Sequence, residues 1–449
     1  MDSTVAIIGG GFAGSEAAWH LAGRGIGVHL YEMRPQRSTE AHHSGDCAEL
    51  VCSNSFKSTN RENAHGLLKA EMALQGALTL QGAALHAVPA GQALAVDREP
   101  FARWITAQLE AHPRIRLCRE EMSDLPALLD RHARVIVASG PLTSPALSAQ
   151  LAGLLGESHL AFYDAIAPVV LTESLNTDIA YRASRYDKGE ADYWNCPLDE
   201  AQYHAFITAV AGAETVAFHA FESLRPFEGC LPIEVMVQRG PLTLAYGPMK
   251  PVGLRDPHTG RTPYAVVQLR QENSQGTLLG MVGFQTKMTW PEQRRVLRMI
   301  PGLEQAQFAR YGSMHRNTFI NAPRLLTPDL AFRGDGRLYF AGQITGVEGY
   351  MESAATGLYV GRRIAAELLH QPESRPSAAT MIGGLIRYLM ETPPETFQPM
   401  NANFGLLDPP SDTAGKLGKR QRKAFYAERA LAEIAALTGA EPPPLAHSG

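Results

Sequence analysis

Two cysteines stand in sequence surroundings where a thiol could act as a chemical group. Cys230 lies in "FEGCLPIE", between a glycine and a leucine–proline step, and Cys52 lies in "VCSNS". In its thiolate form, a cysteine side chain can add to an electron-poor carbon and form a covalent intermediate. The alternative is that each is a small packing residue, because cysteines in folded proteins are commonly buried and inert. The two motifs alone leave both interpretations open.

The other cysteines give no sign of chemistry. The chain has five cysteines in all, at irregular spacing: Cys47, Cys52, Cys118, Cys196 and Cys230. An odd number without a repeat is typical of thiols in a reducing cytoplasm and not of a disulfide framework. A metal site could use the histidines and cysteines of "HHSGDCAELVC", but their spacing matches no compact zinc pattern. We therefore expect no metal site and interpret the remaining cysteines as packing residues.

The N-terminal residues have the pattern of a dinucleotide-binding unit. An apolar strand, Val5–Ile8, leads into glycines, and after an alanine-rich helix a second strand, Val28–Tyr31, ends on Glu32. Glycines at these positions allow a tight turn and a close approach to a pyrophosphate, and the acid accepts hydrogen bonds from a ribose. The residues predicted to form this end of the site are Gly9, Gly10, Gly11, Gly14, Glu32 and, at the start of the next loop, Arg34.

Two later segments resemble further parts of the same nucleotide domain. "ARVIVASGP" (133–141) is typical of a buried parallel strand, and "GRLYFAGQITGVEGYMESAATG" begins another strand that leads into a glycine-rich loop. A long helix is predicted to start around Gly349. A plain βα unit would not need so many glycines, so we favour FAD over NAD, with the start of this helix directed at the flavin. Gly342, Gly349 and Tyr350 are the predicted contacts here, and Asn54 is another candidate unless it only caps its loop.

The order of these patterns predicts an α/β fold with four segments. An FAD-binding Rossmann-like domain of the glutathione-reductase type would occupy residues 1–160 and 326–370. Alternating stretches such as "PYAVVQLRQE" predict an inserted α+β domain over residues 161–325, and residues 371–449 would form a loop and a short helical tail. The apolar runs are all too short to span a bilayer, so we expect no membrane association.

Charge gives only local hints about a partner. The net charge is −4, so no overall field attracts nucleic acid. A basic cluster from Lys416 to Lys423 could contact phosphates or could be a solvated helix end. Lys250 and Lys287 are further basic residues of the middle segment.

Blocks along the full length resemble the bacterial folate- and FAD-dependent tRNA (uracil-5-)-methyltransferases. They include "GGGFAGSEAAW", "AELVCSNSFKS", "FEGCLPIE", "YGPMKPVGL", "HRNTFINAP" and "FAGQITGVEGYMESAATG". A larger FAD protein that modifies the wobble uridine of tRNA shares the opening motif, but this chain is too short for it. The resemblance implies a cytoplasmic enzyme that methylates uridine 54 in the T-loop of tRNA. It also implies that 5,10-methylenetetrahydrofolate supplies the carbon, and that NADH or NADPH supplies electrons through FAD.

The resemblance also assigns roles to the two cysteines. Cys230 would attack uracil C6, and Cys52 would assist as a base at C5 or as a guard on the flavin. Uridine 54 would have to leave its stacked position, which predicts a basic rim that includes Lys250, Lys287 and the Lys416–Lys423 region. Roles for Asp97, Arg98 and the "MHRNT" motif stay open, as does the oligomeric state. From the residues alone, a ribosomal RNA target, a small-molecule flavin oxidoreductase and an RNA-binding protein without turnover stay open too.

Overall fold

The computed structural model describes most of the chain. The described residues are 4–39, 41–156, 160–187, 190–216, 231–372, 374–409 and 418–441, and side chains are not described at 160–164, 315, 316, 419 and 420. The strands of this part are β1 Val5–Ile8, β2 Val28–Tyr31, β3 Ser55–Ser58, β4 Ala87–Val88, β5 Ala93–Val96, β6 Ile115–Cys118, β7 Arg134–Val137, β8 Leu160–Ala165, β9 Val169–Leu171, β10 Tyr181–Ala183, β11 Tyr193–Leu198, β12 Ala265–Gln271, β13 Leu278–Met281, β14 Phe308–Arg310, β15 Met314–Phe319, β16 Ala331–Phe332 and β17 Asp335–Phe340. The α-helices are α1 Phe12–Gly23, α2 Ala64–Leu74, α3 Leu78–Leu85, α4 Arg98–Ala111, α5 Leu125–Arg131, α6 Pro145–Leu155, α7 Glu200–Ala211, α8 Ile233–Arg239, α9 Thr243–Tyr246, α10 Trp290–Leu297, α11 Ala322–Leu325, α12 Tyr350–Leu368, α13 Met381–Glu391 and α14 Lys419–Thr438.

A six-stranded sheet carries the glycine-rich turn. Its strand order is β16-β17-β7-β1-β2-β6, and only the edge strand β16 is antiparallel to its neighbour. Every residue of the central strand β1 is buried, as its uninterrupted apolar sequence predicts. Because parallel strands end at the same edge, the turns after β1, β2, β7 and β17 lie together there. The predicted parallel α/β sheet is confirmed.

The two helices of the nucleotide unit pack closely on each other. A Cβ atom placed on Gly357 of α12 would lie 2.0 Å from the carbonyl oxygen of Ala13 in α1. Glycine at this position therefore allows the two helix backbones to touch. This contact fixes the N-terminal end of α12 relative to the glycine-rich turn, because α1 begins at that turn.

A second six-stranded sheet lies within the predicted insertion. Its order is β10-β11-β12-β13-β9-β14, and all its pairings are antiparallel. Apolar side chains from this sheet and from α7, α8 and α10 form a hydrophobic core separate from that of the parallel sheet. Strand β14 forms one edge of the sheet. The exact limits of the predicted segments stay a prediction.

The C-terminal helices pack against the nucleotide domain. Both carboxylate oxygens of Glu71 accept backbone hydrogen bonds at the start of α13, from Met381 at 2.6 Å and Ile382 at 2.9 Å. In α14, Ala427, Ala430 and Leu431 are buried in the same core as the parallel sheet. The helical tail is therefore part of the folded core. Among the described residues, we find no helix with the length and apolar character that membrane crossing requires.

Candidate functional site

The glycine-rich turn is closed towards the protein and open on one side. Gly9 has φ of 106°, and a Cβ atom there would lie 2.5 Å from the carbonyl oxygen of Ala138. A Cβ atom on Gly14 would lie 1.9 Å from the carbonyl oxygen of Gly9, whereas one on Gly11 would meet no atom within 4 Å. Gly9 and Gly14 are thus required by packing, while Gly11 faces open space beside the start of α1.

Glu32 and Arg34 form a buried polar layer beneath the turn. Glu32 accepts hydrogen bonds from the backbone of Gly10 at 2.9 Å and from Arg34 Nε at 2.9 Å, and Arg34 Nη1 also donates to Glu49 at 2.9 Å. Burial alone raises the pKa of Glu32, but the hydrogen bonds and charge of Arg34, with the Gly10 amide, outweigh it and leave this pKa below its ordinary value. Glu32 is therefore an anion that holds the turn, and Arg34 lies between two carboxylates.

A cleft runs along the carboxyl edge of the parallel sheet. Its wall contains six of the residues predicted to bind a cofactor, namely Gly9, Gly11, Glu32, Arg34, Gly342 and Tyr350. Gly10 and Gly14 lie outside this lining and act through the backbone contacts given above. We call this space the nucleotide cleft.

A second pocket adjoins the nucleotide cleft. The two spaces share wall residues, namely Val51, Pro141, Leu142, Gln343 and Tyr350. Cys52 and Gly349, which directly precedes α12, lie in the wall of the second space, which we call the Cys52 pocket. A long ligand held at Glu32 can therefore continue past Tyr350 to the start of α12, where backbone N–H groups point outwards.

Hydrogen bonds hold both the backbone N–H and the backbone carbonyl group of Cys52. Its N–H donates to Tyr350 Oη at 2.8 Å, and its carbonyl oxygen accepts from Arg98 at 3.0 Å and from Arg310 at 2.9 Å. The aromatic ring of Tyr350 packs on Phe12, with ring centres 4.8 Å apart. Three distant parts of the chain thus fix the position of this cysteine.

The two arginines around Cys52 have different charge environments. Arg98 Nη2 lies 2.5 Å from Glu272, a buried ion pair. The pKa of Arg310 is lowered to about 10, mainly by burial and also by the positive charge of Arg98, while Glu272 opposes this shift. Among the described residues, no group accepts a hydrogen bond from Arg310 Nε. A buried, incompletely paired cation costs stability, so its place beside Cys52 points to a functional use.

Charged side chains line the far wall of the Cys52 pocket. Glu352 is buried, lies 3.2 Å from His65 Nδ1 and accepts a hydrogen bond from the backbone of Ala402 at 3.0 Å. Burial raises its pKa, but His65, the charge of Lys57 and the Ala402 amide outweigh this and lower the pKa to about 2. Lys57, His65 and Glu352 all line the pocket, so it offers both charges to a polar ligand.

The Asn54 side chain forms hydrogen bonds to two strands. Its side-chain amide donates to the carbonyl oxygens of Val96 and Gln271, both at 3.0 Å, and its oxygen accepts from Arg270 at 3.0 Å. It is fully buried and lines neither pocket. This side chain connects β5 to β12, and the structure gives it a structural contact instead of a place in the cleft.

Several other predicted residues lie outside the pocket walls or outside the description. Cys230 and Lys416 are not among the described residues, and neither are the side chains of Lys419, Arg420, His315 and Arg316. Lys250 is exposed and Lys287 partly exposed, and neither lines the two pockets. Lys423 lies over the ring of Phe404, 5.9 Å from its centre, at the surface of the C-terminal region.

The first described residues after Cys230 lie beside the Cys52 pocket. Ile233 N–H donates to the carbonyl oxygen of Gln285 at 2.8 Å, and Gln285 lines that pocket. On the other side, Val216 N–H donates to the carbonyl oxygen of Lys287 at 2.9 Å. Both described ends of the segment that contains Cys230 are thus attached to residues 285–287.

Two of the remaining cysteines have properties of packing residues. Cys47 and Cys196 are fully buried, and burial raises the pKa of each thiol to about 12. Burial also raises the pKa of the partly buried Cys118. Within the described parts of the chain, no cluster of three or more histidine, cysteine or acidic side chains could hold a metal ion.

Sequence patterns did not reveal Arg310, Glu272, His65 or Glu352 as parts of this site. No local motif around Arg310 or Glu272 marks a site, and although Glu352 follows the helix start predicted to face the flavin, its own side chain was not singled out. Arg98, whose role the sequence leaves open, forms an ion pair with the buried Glu272.

Comparison with known proteins places the chain in a family. Residues 4–372 match the family model described as glucose inhibited division protein A. Methylenetetrahydrofolate–tRNA-(uracil-5-)-methyltransferase TrmFO of Geobacter sulfurreducens is 54% identical over 97% of this chain and 98% of its own. The protein of the same name from Heliobacterium modesticaldum is 54% identical over 96% and 97%.

Solved structures agree with the fold. GidA of Aquifex aeolicus, in two crystal forms, superposes with TM-scores of 0.69 and 0.70 at 15% identity, over 97% and 98% of this chain and 74% and 76% of its own. At this identity the likeness concerns the fold alone, and it confirms the predicted α/β architecture. Taken with the full-length relatives, it leads to one conclusion: the chain belongs to the methylenetetrahydrofolate–tRNA-(uracil-5-)-methyltransferase family.

Proposed function

We propose that this protein methylates C5 of uridine 54 in the T-loop of tRNA. The methylene carbon comes from 5,10-methylenetetrahydrofolate, and NADH or NADPH supplies the electrons through bound FAD. Full-length relatives at 54% identity carry the name of this activity. For a tRNA-modifying enzyme we propose a cytoplasmic location.

The two adjoining pockets fit an extended dinucleotide cofactor. Gly11 and Glu32 would hold its nucleotide half, because Gly11 leaves room above the turn and Glu32 is an ionised acceptor at the end of β2. Gly349 and Tyr350, at the start of α12, would lie beside its flavin half. When bound, FAD would supply the reducing electrons that convert the transferred one-carbon unit to a methyl group.

Uracil needs activation before C5 can accept carbon. The ring carbonyls withdraw electrons, so C5 is a weak nucleophile until a thiolate adds at C6 and gives C5 enolate character. We assign this addition to Cys230. After C5 has accepted the one-carbon unit, a base must remove the C5 proton so that the thiolate can leave. We assign the removal of the C5 proton to Cys52.

The observation that carries this proposal is the position of Cys52. It lies in the wall of the pocket next to the nucleotide cleft, and Arg98, Arg310 and Tyr350 hold its peptide units. A packing cysteine needs no such set of contacts.

The target uridine must leave the T-loop to reach this pocket. Extruding a base costs a few kcal/mol of stacking, which contacts to the RNA backbone must offset. We propose that Lys250, Lys287 and the Lys416–Lys423 region supply part of these contacts.

A tRNA transcript that contains 5-fluorouridine at position 54 tests this proposal. Fluorine at C5 cannot leave as a proton does, so the adduct between Cys230 and C6 should accumulate as a stable protein–RNA band. We expect the band in the wild type and in Cys118→Ala, and none in Cys230→Ala, with bound flavin unchanged in each. An adduct that forms in Cys230→Ala would show that another group is the nucleophile. No adduct in any protein, despite bound flavin, would contradict the proposed reaction.

A further inference from the structure

Three aromatic rings form a ladder at the edge of the antiparallel sheet. Tyr311 stacks on Trp290 with ring centres 5.5 Å apart and an angle of 16° between the planes. It also stacks on Phe308, at 5.1 Å and 21°. Phe308 belongs to the edge strand β14, and Trp290 is the first residue of α10. Stacked rings in a folded core are ordinary, but this ladder reaches the surface.

The outer end of the ladder is exposed. Trp290 has 63% of its surface accessible, although a tryptophan that only served packing would be expected inside. Its ring therefore presents an apolar face to the solvent. An exposed aromatic face of this kind is typical of a binding surface.

Positive side chains surround the ladder. Arg294 donates to Tyr311 Oη from Nε at 3.0 Å and from Nη2 at 2.8 Å, and its guanidinium lies 5.9 Å from the centre of that ring. The exposed Arg295 lies one residue further along α10 and pairs with Glu292. The charge around the rings is therefore mainly positive. A purely apolar partner would bury the guanidinium of Arg294, whose hydrogen bonds go to the neutral Tyr311 hydroxyl, without a counter-charge.

The ladder lies beside the Cys52 pocket. Tyr311 directly follows Arg310, whose side chain reaches the backbone of Cys52. Two residues further on, the carbonyl oxygen of Ser313 accepts a hydrogen bond of 2.8 Å from Ile166, which lines the pocket. The same short segment thus contacts residues of the pocket wall and carries the central ring of the ladder.

We propose that this surface, which we call the aromatic rim (Trp290, Arg294, Arg295, Phe308 and Tyr311), stacks unpaired bases of the tRNA loop next to the extruded uridine. Proteins recognise unpaired RNA by stacking bases on aromatic rings and arginine planes and by pairing cations with phosphates. The rim offers all three groups on a segment that contacts the Cys52 pocket wall. This inference rests on the proposed function and adds the surface that positions the RNA.

The test compares tRNA binding and turnover in matched variants. Base stacking on one ring predicts that Trp290→Ala weakens binding of a tRNA transcript about five- to hundredfold. The KM for tRNA should rise by a similar factor, while the KM for methylenetetrahydrofolate and the flavin content stay unchanged. Trp290→Phe should retain most of the affinity, because it keeps a ring. Leu85→Ala is the control, since Leu85 is 65% exposed on another helix.

A salt titration separates the arginines from the rings. Arg295→Ala should lower the slope of log affinity against log salt by about one, as loss of one phosphate contact requires. Arg103→Ala is the matched control, because Arg103 is an exposed helical arginine near a glutamate, Glu99. An unchanged slope in Arg295→Ala would contradict a phosphate contact at the rim.

The outcomes distinguish this inference from the proposed function. If the wild type binds and methylates tRNA and Trp290→Ala does so equally well, the aromatic rim has no role in RNA binding and the inference is overturned. If Trp290→Ala instead changes the sedimentation of the protein without changing tRNA affinity, the rim is a contact between copies of the chain, which also overturns it. A wild type that binds no tRNA at all contradicts both.

Discussion

Arg310 donates a hydrogen bond of 2.9 Å to the carbonyl oxygen of Cys52, although 258 positions separate the two residues in the sequence. Arg310 belongs to the antiparallel sheet, and Cys52 follows the glycine-rich half of the nucleotide domain. The contact therefore joins the two hydrophobic cores at the pocket. It means that the position of this cysteine depends on how the antiparallel sheet docks against the parallel one.

Replacing Arg310 should lower the rate of methylation without lowering the stability of the fold. Arg310→Met removes a buried cation and keeps a long side chain, so we expect the free energy of unfolding to stay within about 1 kcal/mol of the wild type or to rise. The kcat for tRNA methylation should fall about ten- to hundredfold, because Cys52 loses one of its positioning contacts. Urea denaturation and steady-state kinetics measure the two effects.

The exposed Arg333→Ala is the control for this experiment, since it removes an arginine from the protein surface. A wild-type kcat in Arg310→Met would show that the contact with Cys52 has no role in positioning it. A large loss of stability would show that the guanidinium serves the fold instead.

Gly11 and Gly23 provide a matched pair for the nucleotide cleft. Neither would bring a new Cβ atom within 4 Å of another group, so both alanine variants should fold. Gly11 lines the cleft, whereas Gly23 ends α1 away from it. We expect Gly11→Ala to lose most of its flavin absorbance although the Tm of the flavin-free protein is unchanged, and Gly23→Ala to keep its flavin. Equal flavin content in both would place the cofactor elsewhere.

Glu352 should make stability depend on pH at the acid end. Its pKa in the folded protein is about 2, below the ordinary 4.5, so the ionised form stabilises the fold above pH 4.5 and this contribution disappears as the pH falls towards 2. At pH 7 the contribution is about 3 kcal/mol. The free energies of unfolding of the wild type and Glu352→Gln should therefore approach each other between pH 5 and 3. A difference that stays constant over this range would contradict the assignment. Glu395 is exposed, so Glu395→Gln is the control, and its free energy of unfolding should follow that of the wild type.

Replacing Asn54 should reduce the stability of the fold and leave flavin binding unchanged. Asn54→Leu leaves two carbonyl oxygens and Arg270 without their partner, so we expect it to reduce the free energy of unfolding by about 2–4 kcal/mol. The folded fraction should still bind flavin at the wild-type ratio. If Asn54→Leu instead lost its flavin at unchanged stability, the result would support the prediction that Asn54 contacts the cofactor.

Local patterns predicted the nucleotide unit well. Strands Val5–Ile8 and Val28–Tyr31 have the bounds expected from their apolar runs, and α12 begins at Tyr350, directly after the predicted Gly349. These features depend on neighbouring residues, so a short stretch of sequence contains the information. The helix start that faces the Cys52 pocket was predictable for the same reason.

Long-range contacts were not predictable in this way. Nothing near Arg310 indicates that its side chain reaches Cys52, because that depends on how two separate sheets meet. Asn54 illustrates the same limit, since an amide in a polar loop has the same local pattern whether it contacts a ligand or joins β5 to β12. The aromatic rim arises similarly, from a helix start and an edge strand that are distant in sequence.

The most direct test follows the transferred carbon. Purified protein would be incubated with NADPH, a tRNA transcript and methylenetetrahydrofolate labelled in its methylene carbon, and the nucleosides would be analysed by mass spectrometry. A transcript with cytidine at position 54 is the matched control. The account predicts labelled 5-methyluridine at position 54 in the first transcript and none in the control. Unlabelled tRNA from a flavin-bound protein that oxidises NADPH would contradict it.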